Sequence, residues 1–359
     1  MGGMPDAQDA IDRIILQQAA DRLTGAAGRI TVLEDAGGIV SALPPGVGPV
    51  RVHSDSWMSE QRVAARASRT ELEVSLDPTL GPAVLAGAQL VLLRLPKSLA
   101  ALEEIAELVA AVAAPDVLLV GGGRDKHMTR GMNAVLSRHF ADVSASLGQQ
   151  KCRVLFAARP DRTATSSYPR REWHDDLQLT VCAHGAAFAG TSIDLGTRYL
   201  LGFLDRMAPA ARSVVDLGCG TGVLATVLAR RLSEAQVLAV DDSAAACRST
   251  AATAEANDLA DRVTVRRADA LHGTSDHLAD LIVCNPPFHR GTTRDSSSAF
   301  DMFAGAARVL RPGGELWTVF NSHLPYLPAL RRRVGPTQVI GQNRAYVVTR
   351  SVAAADVQE

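Results

Sequence analysis

Residues Val214-Val215-Asp216-Leu217-Gly218-Cys219-Gly220-Thr221-Gly222 constrain what this chain can fold into more than any other stretch. An apolar run ending at an Asp, then three spaced glycines, then apolar positions at helical spacing reads as a strand, a tight turn and a helix. Such a turn lets backbone approach a ligand closely at the carboxyl edge of a parallel sheet, where α/β proteins hold cofactors. The frame is D-x-G-x-G-x-G, with the Asp ahead of the glycines, which sets it apart from the G-x-G-x-x-G of dinucleotide-binding turns.

The βα alternation continues on both sides. Ser213 to Asp216, Gln236 to Asp241, Val263 to Arg267, Asp280 to Cys284 and Glu315 to Phe320 are expected strands, with helices over 222–232, 244–257 and along Phe300, Phe303, Ala306 and Leu310. Arg311-Pro312-Gly313-Gly314 is expected to end that last helix, and Gln338 to Gly341 with Arg344 to Arg350 to close the sheet as an antiparallel pair. In the first half, Gln89 to Leu95 is an expected strand, followed by a helix opened by Pro96-Lys97-Ser98. Asp116 to Val120 is a second strand, Gly121-Gly122-Gly123 a turn, and Met132 to Phe140 a helix. The triple glycine is followed by neither Gly-Lys-Ser/Thr nor a G-x-G-x-x-G frame, so phosphate binding is not expected there.

A chain of 359 residues exceeds what one core usually serves. The polar stretch Arg159 to Trp173, broken by Pro160 and Pro169, marks a boundary. The expected division is residues 1–165, a linker over 166–185, and 186–359. A net charge of -1 gives no global field toward nucleic acid or membrane, so a polyanion needs a local patch. Two such patches are Arg170-Arg171 with Trp173 and His174, and Arg331 to Arg333. Five scattered cysteines without a CxxC pair point to a reduced, metal-free, cytoplasmic protein. The longest apolar runs are strand-sized, so no membrane span is expected, and the first residues lack a signal peptide's basic and apolar regions.

Asp241 ends the next strand about 20 residues past the glycines, the position from which a carboxylate accepts hydrogen bonds from a ribose diol. Helix capping before Ala244 is the competing role for Asp241, Asp242 and Ser243. Asp269 and Ala270 follow the third strand, within reach of an adenine amino group. At the fourth strand end, Asn285-Pro286-Pro287-Phe288 places an amide ahead of two prolines that fix the backbone. An exocyclic amine is a poor nucleophile because its lone pair is delocalised into the ring. Two acceptors aimed at its hydrogens, the Asn285 side-chain oxygen and the Pro286 carbonyl, stabilise positive charge as a methyl group arrives. Phe288 is suited to stack on a planar base, and His289 and Arg290 to contact substrate or phosphate.

On these motifs, residues 186 to 352 resemble the catalytic domain of bacterial ribosomal-RNA guanine-N2 methyltransferases of the RsmC and RlmG type. Phe188, Asp194-Leu195-Gly196-Thr197, Asp216 to Gly222, Val240 to Ser243, Cys284 to His289, Gly314 to Trp317 and Asn321 to Tyr326 carry the likeness. The resemblance implies two Rossmann-like methyltransferase domains. The C-terminal one is a seven-stranded class I sheet; the N-terminal one has lost its cofactor motifs and supports folding or RNA binding. Leu95 to Ala100, Arg124 to Thr129 and Gln149 to Arg153 resemble the large-subunit members, whereas Arg290 to Thr293 matches neither branch.

The resemblance also assigns S-adenosyl-L-methionine to Asp194, Gly196, Thr197, Asp216, Gly218, Cys219, Gly220, Asp241, Asp242, Asp269, Ala270 and Asn285. The target base falls to Asn285, Pro286, Pro287 and Phe288, and RNA contacts to Phe288, His289, Arg290, Arg170 and Arg171. The implied reaction is methyl transfer to N2 of a guanosine in 16S or 23S ribosomal RNA, free or in a subunit, by a monomer without metal. Adenine-N6 or protein-glutamine methylation, and a catalytically silent RNA-binding assembly factor, are the alternatives.

Overall fold

The computed structural model describes residues 9–163, 165–287 and 293–354, with backbone alone over 293–297. Phe288, His289 and Arg290 therefore lie outside the described residues. The chain divides into two units, Met1–Tyr168 and Pro169–Glu359. No helix among the described residues is long and apolar enough to cross a membrane.

The first unit runs α1 (Ala10–Leu23), β1 (Ile30–Leu33), β2 (Val50–His53), α2 (Trp57–Ala67), β3 (Val74–Leu76), α3 (Pro82–Leu85), β4 (Leu90–Arg94), α4 (Leu99–Val112), β5 (Leu118–Arg124), α5 (Arg130–Leu136), β6 (Phe140–Ala145) and β7 (Cys152–Pro160). Its seven strands order as β3-β2-β1-β4-β5-β7-β6, with β7 antiparallel to both neighbours. The apolar run of β4 feeds both faces of the sheet. Val91 and Leu93 pack under α3, α4 and α5, while Leu90 and Leu92 pack with α1 and α2. That is why the run is continuous rather than alternating. Ser98 starts α4 by accepting from Ala101 N at 3.2 Å.

Two sequence expectations in this unit change. Gly121, Gly122 and Gly123 lie inside β5, paired with Leu155, Val154 and Arg153 of β7, and form no turn. A Cβ at Gly121 would come within 2.9 Å of Leu95 Cδ2, and one at Gly122 within 2.4 Å of Ile15 Cγ1. The glycines make room for packing on the two faces of the strand. The helix expected through Phe140 stops at Leu136, and Phe140 opens β6.

The second unit begins with a hairpin, β8 (Arg170–His174) and β9 (Leu179–Ala183), where a linker over 166–185 was expected. The next elements are α6 (Leu195–Leu201), β10 (Ser213–Leu217), α7 (Val223–Arg231), β11 (Gln236–Asp241), α8 (Ala244–Ala256) and β12 (Val263–Arg267). They lead to β13 (Ala279–Cys284), α9 (Thr293–Val309), β14 (Leu310–Asn321), α10 (Tyr326–Arg333), β15 (Thr337–Gln342) and β16 (Tyr346–Val352). The hairpin is fastened to α8: Cys182 N donates to Thr253 Oγ1 at 2.9 Å and His184 N to Ser249 Oγ at 2.9 Å. Buried Leu179, Val181 and Cys182 were the apolar signal for it. Arg311 to Gly314 continues β14 after α9 ends at Val309.

The strand order of the second unit, β12-β11-β10-β13-β14-β16-β15, repeats that of the first. The ladders match in register as well. Leu217 pairs with Val240 and Cys284, as Leu33 pairs with His53 and Leu93. Aligning Leu33 with Leu217 puts Val32 at Asp216, Glu34 at Gly218, Ser54 at Asp241 and Arg94 at Asn285.

The first unit thus carries Val32, Ser54 and Arg94 where its copy has Asp216, Asp241 and Asn285. Arg94 instead donates from Nη1 to Asp12 at 2.9 and 3.1 Å and from Nη2 to Asp9 at 2.9 Å. Burial pushes the Asp12 carboxyl up to about 6 even beside this guanidinium. A Cβ on Gly38 would sit 2.0 Å from Asp12 Oδ2, so protein atoms fill the space beside the turn after β1. Arg94→Ala strips a buried carboxylate of its counter-charge. Denaturant unfolding slightly above neutral pH is expected to show a loss of about 3–5 kcal/mol from this unit. A loss below about 1 kcal/mol would show that the pair carries no such weight.

Candidate functional site

A cavity of about 340 Å³ opens at the carboxyl ends of β10, β11, β12 and β13 in the second unit. The glycine turn forms one wall. Gly218 has φ +78°, and its N and that of Cys219 donate to Val240 O at 2.8 and 3.1 Å, locking the turn to β11. Gly222 has φ +77°, and a Cβ there would lie 2.8 Å from Thr250 Cγ2 and 2.9 Å from its Cα. Only glycine satisfies both the dihedral and the contact.

Asp216 does not line this cavity, contrary to the expectation that it contacts cofactor. It lies beneath the turn, fully buried, with Oδ2 accepting from Ala225 N at 2.9 Å in the first turn of α7. Its role is to tie the strand to the helix that follows. Burial pushes its carboxyl from an ordinary 3.8 up to about 7, with the Asp241 charge adding to the rise.

Because the folded chain binds this proton more tightly than the unfolded one, Asp216 favours folding most below about pH 4. That contribution is lost as pH rises toward 7. Asp216→Asn removes the dependence. The variant's Tm relative to wild type is expected to climb by roughly 5–10 °C between pH 4 and 8. A flat difference would contradict the buried-carboxyl account.

Asp241 lines the cavity at the end of β11 and is held by two backbone donors, Gly220 N to Oδ2 at 3.0 Å and Ser243 N to Oδ1 at 2.9 Å. A carboxylate oxygen can accept more than one hydrogen bond, so these backbone contacts are compatible with a ligand in the cavity. Helix capping falls to Ser243, whose Oγ accepts from Ala246 N at 3.0 Å. Asp242, Asp269 and Ala270 also line the cavity. Burial raises the Asp269 pKa, and the charges of Asp242 and Asp301 raise it further. Cys219 lies in the lining as well. A hydrogen bond with Cys247 and burial hold its thiol well above the usual range, so it is a neutral apolar contact.

Asn285 has a fixed direction. Its Nδ2 donates to Asp194 Oδ2 at 2.9 Å and to Thr197 Oγ1 at 3.0 Å. Asp194 is in turn the N-cap of α6, accepting from Gly196 N at 2.8 Å and Thr197 N at 3.1 Å. With both amide hydrogens engaged, Oδ1 must point the other way, and it is buried with no hydrogen-bond partner among the described residues. A buried, oriented acceptor without a donor is costly for the fold and belongs to a site that receives one. Pro286 and Pro287 line the cavity beside it.

The structure thus gathers Asp194, Thr197, Gly218, Cys219, Gly220, Asp241, Asp242, Asp269, Ala270, Asn285, Pro286 and Pro287 around one cavity. Gly196 is not in the lining; a Cβ there would meet Asp194 Oδ2 at 2.9 Å and Tyr346 Cε1 at 3.3 Å, so its smallness serves the Asp194 cap. Arg170 and Arg171 are exposed residues of β8, outside the cavity. His174, read with them as an RNA contact, is buried, with Nε2 2.9 Å from Thr191 O. Sequence reasoning gave no site role to three apolar lining residues, Met302 and Leu224 on helices and Ile193 in the segment before α6. Phe188, 60% exposed, lines the cavity from the segment before α6.

Comparison with known proteins agrees with this geometry. The family model described as Methyltransferase small domain matches residues 178–350, and the RLMG N-terminal domain matches residues 5–161. Ribosomal RNA large subunit methyltransferase G of Streptomyces coelicolor is 34% identical, covering 96% of this chain and 94% of its own length. The protein of that name from Aeromonas salmonicida is 31% identical over 96% of this chain and 93% of its own. Among solved structures, a Thermus (T. thermophilus) 16S rRNA N2 G1207 methyltransferase, RsmC, in complex with AdoMet and guanosine aligns with a TM-score of 0.77. It shares 22% identity and covers 98% of this chain and 94% of that one, which supports the two-unit fold. Two complete methyltransferase-type sheets in one chain, matched end to end by these relatives, place it: the chain belongs to the ribosomal RNA large subunit methyltransferase G family.

Proposed function

We propose that this chain transfers the methyl group of S-adenosylmethionine to the exocyclic N2 amine of a guanosine in large-subunit ribosomal RNA. The observation that carries the reading is the lone Asn285 Oδ1, buried and aimed by Asp194 and Thr197. The relatives' names supply the large-subunit RNA, and the RsmC name supplies the N2 position. The cavity lining fits the cofactor: Asp241 would accept from its ribose diol, Asp269 would meet its adenine amine, and the glycine turn would admit its amino-acid part.

The cofactor supplies a methyl group already activated by its sulfonium charge. Asn285 Oδ1 and the Pro286 carbonyl accept the two hydrogens of the target amine. They stabilise the positive charge that develops on nitrogen as the N–C bond forms and the C–S bond breaks. The extra proton then leaves to water. Met302, Ile193 and Leu224 keep the lining dry enough for those acceptors to act at full strength.

The first unit, with its cofactor positions replaced, serves RNA. Lys97 follows β4, Lys126 follows β5 and Lys151 precedes β7, so all three lie at one sheet edge. Neutralising all three is expected to flatten the slope of log K against log salt for RNA binding by about 2; an unchanged slope would remove this edge from the account. We place the protein in the cytoplasm as a monomer. Purified chain is to be incubated with methyl-labelled S-adenosylmethionine and unmodified ribosomal RNAs. Label entering large-subunit RNA is the expected result; label in small-subunit RNA alone, or in none, overturns the reading.

A further inference from the structure

Glu103 and Glu107 stand one helical turn apart on α4, on one face. His139, in the turn between α5 and β6, meets them there. One ligand atom from each of the three lies within 4.8 Å of the others. Glu107 and His139 are buried, and Glu103 is nearly so. His139 is 8% exposed, and both of its ring nitrogens are buried with no hydrogen-bond partner among the described residues. A neutral imidazole carries one donor and one lone pair, so leaving both unpaired beside two carboxylates is a poor arrangement for protein atoms alone.

We propose that Glu103, Glu107 and His139 form a binding site for one divalent transition-metal ion of the zinc type. One imidazole nitrogen with two carboxylates is a donor set suited to such an ion, whereas calcium and magnesium take oxygen ligands. Bonds of roughly 2.0–2.2 Å bring ligand atoms to about 3.5 Å of one another, a contraction that rotation of the Glu103 side chain can supply.

The carboxylates are already oriented. Glu107 Oε2 accepts from Ser167 N at 2.9 Å and Oε1 from Ser167 Oγ at 2.6 Å, while Arg138 Nη1 donates to Glu103 Oε1. A carboxylate oxygen that accepts a hydrogen bond can also bind an ion, and such outer contacts aim metal ligands in general. Arg138 is the opposing charge at the site, but its side chain is 56% exposed and can turn to solvent.

The ion would clamp α4 to the start of β6 and, through Glu107 and Ser167, hold the last residues of the first unit against α4. Scanning for cysteine and histidine pairs at zinc spacing misses it, because His139 lies about thirty residues from the two glutamates.

The test uses the full chain without an affinity tag, stripped with chelator and titrated near neutral pH with Zn²⁺ by calorimetry. One equivalent is expected to bind, with affinity at least about tenfold weaker in His139→Gln and Glu107→Gln and S-adenosylmethionine affinity unchanged. Co²⁺ substituted for Zn²⁺ is expected to give a d–d spectrum that His139→Gln loses. If a core variant fails to fold, Glu103→Gln, at a partly exposed position, carries the same expectation. No Zn²⁺ binding by the wild type, or equal binding by wild type and folded variants, overturns the proposal.

Discussion

Replacing Asn285 with Ala lowers kcat by about 10²–10³-fold, while S-adenosylmethionine binds within a few-fold of wild type. The magnitude is that of one oriented hydrogen-bond partner removed from a developing charge, about 3–4 kcal/mol. It falls on kcat because Oδ1 has its strongest partner only when the amine becomes cationic. Asn285→Asp does not rescue activity. It sets a second carboxylate against Asp194 Oδ2, now 2.9 Å from the amide nitrogen, and so destroys the contact that aims the oxygen. Steady-state kinetics with saturating RNA, alongside cofactor calorimetry, checks both halves; an alanine variant keeping a third of its activity would remove Asn285 from the chemistry.

Asp241→Ala acts on the cofactor instead and weakens its Kd by roughly 30–150-fold, or about 2–3 kcal/mol. Two losses combine. The ribose diol loses a charged acceptor, and Gly220 N and Ser243 N lose the carboxylate that holds the glycine turn to the start of α8. Asp242→Ala, without those backbone bonds, costs about tenfold or less. Titration calorimetry separates the two variants. A D241A affinity within about threefold of wild type would place the ribose elsewhere in the cavity.

Much of the second unit was legible because its motifs are local. Asp216 to Gly222, Asp241 and Asn285 to Pro287 each stand at or just past the carboxyl end of a strand, and parallel strands deliver such residues to one sheet edge. What sequence misread depended on contacts between distant segments. The resemblance assigned Asp216 to the cofactor, yet packing around it buries the carboxyl and raises its pKa. Asp194 does line the cavity, but no local pattern showed that it also caps α6 and orients an amide 91 positions away.

The hairpin over 170–183 was hidden by Pro169 and by the polar, outward face of β8. Besides the buried Leu179, Val181 and Cys182, it is held by hydroxyls of α8 and the amide of its C-cap Asn257, partners that no local pattern announces. The triple glycine was misread for the opposite reason. Local preference favours a turn, and only the close approach of Leu95 and Ile15 explains a strand. The loss of the cofactor motifs from the first unit was legible in the sequence, but which residue stands at which position is read only from the paired registers, which set Arg94 on Asn285 and Ser54 on Asp241.

The central claim is that the amine held by Asn285 is N2 of a guanine in large-subunit ribosomal RNA. Nucleoside mass spectrometry of that RNA, from cells with and without the gene, tests it most directly. The account predicts that N2-methylguanosine at one position disappears with the gene and returns with the wild-type chain but not with Asn285→Ala. An unchanged N2-methylguanosine content, or loss of a methylated adenosine instead, would contradict it.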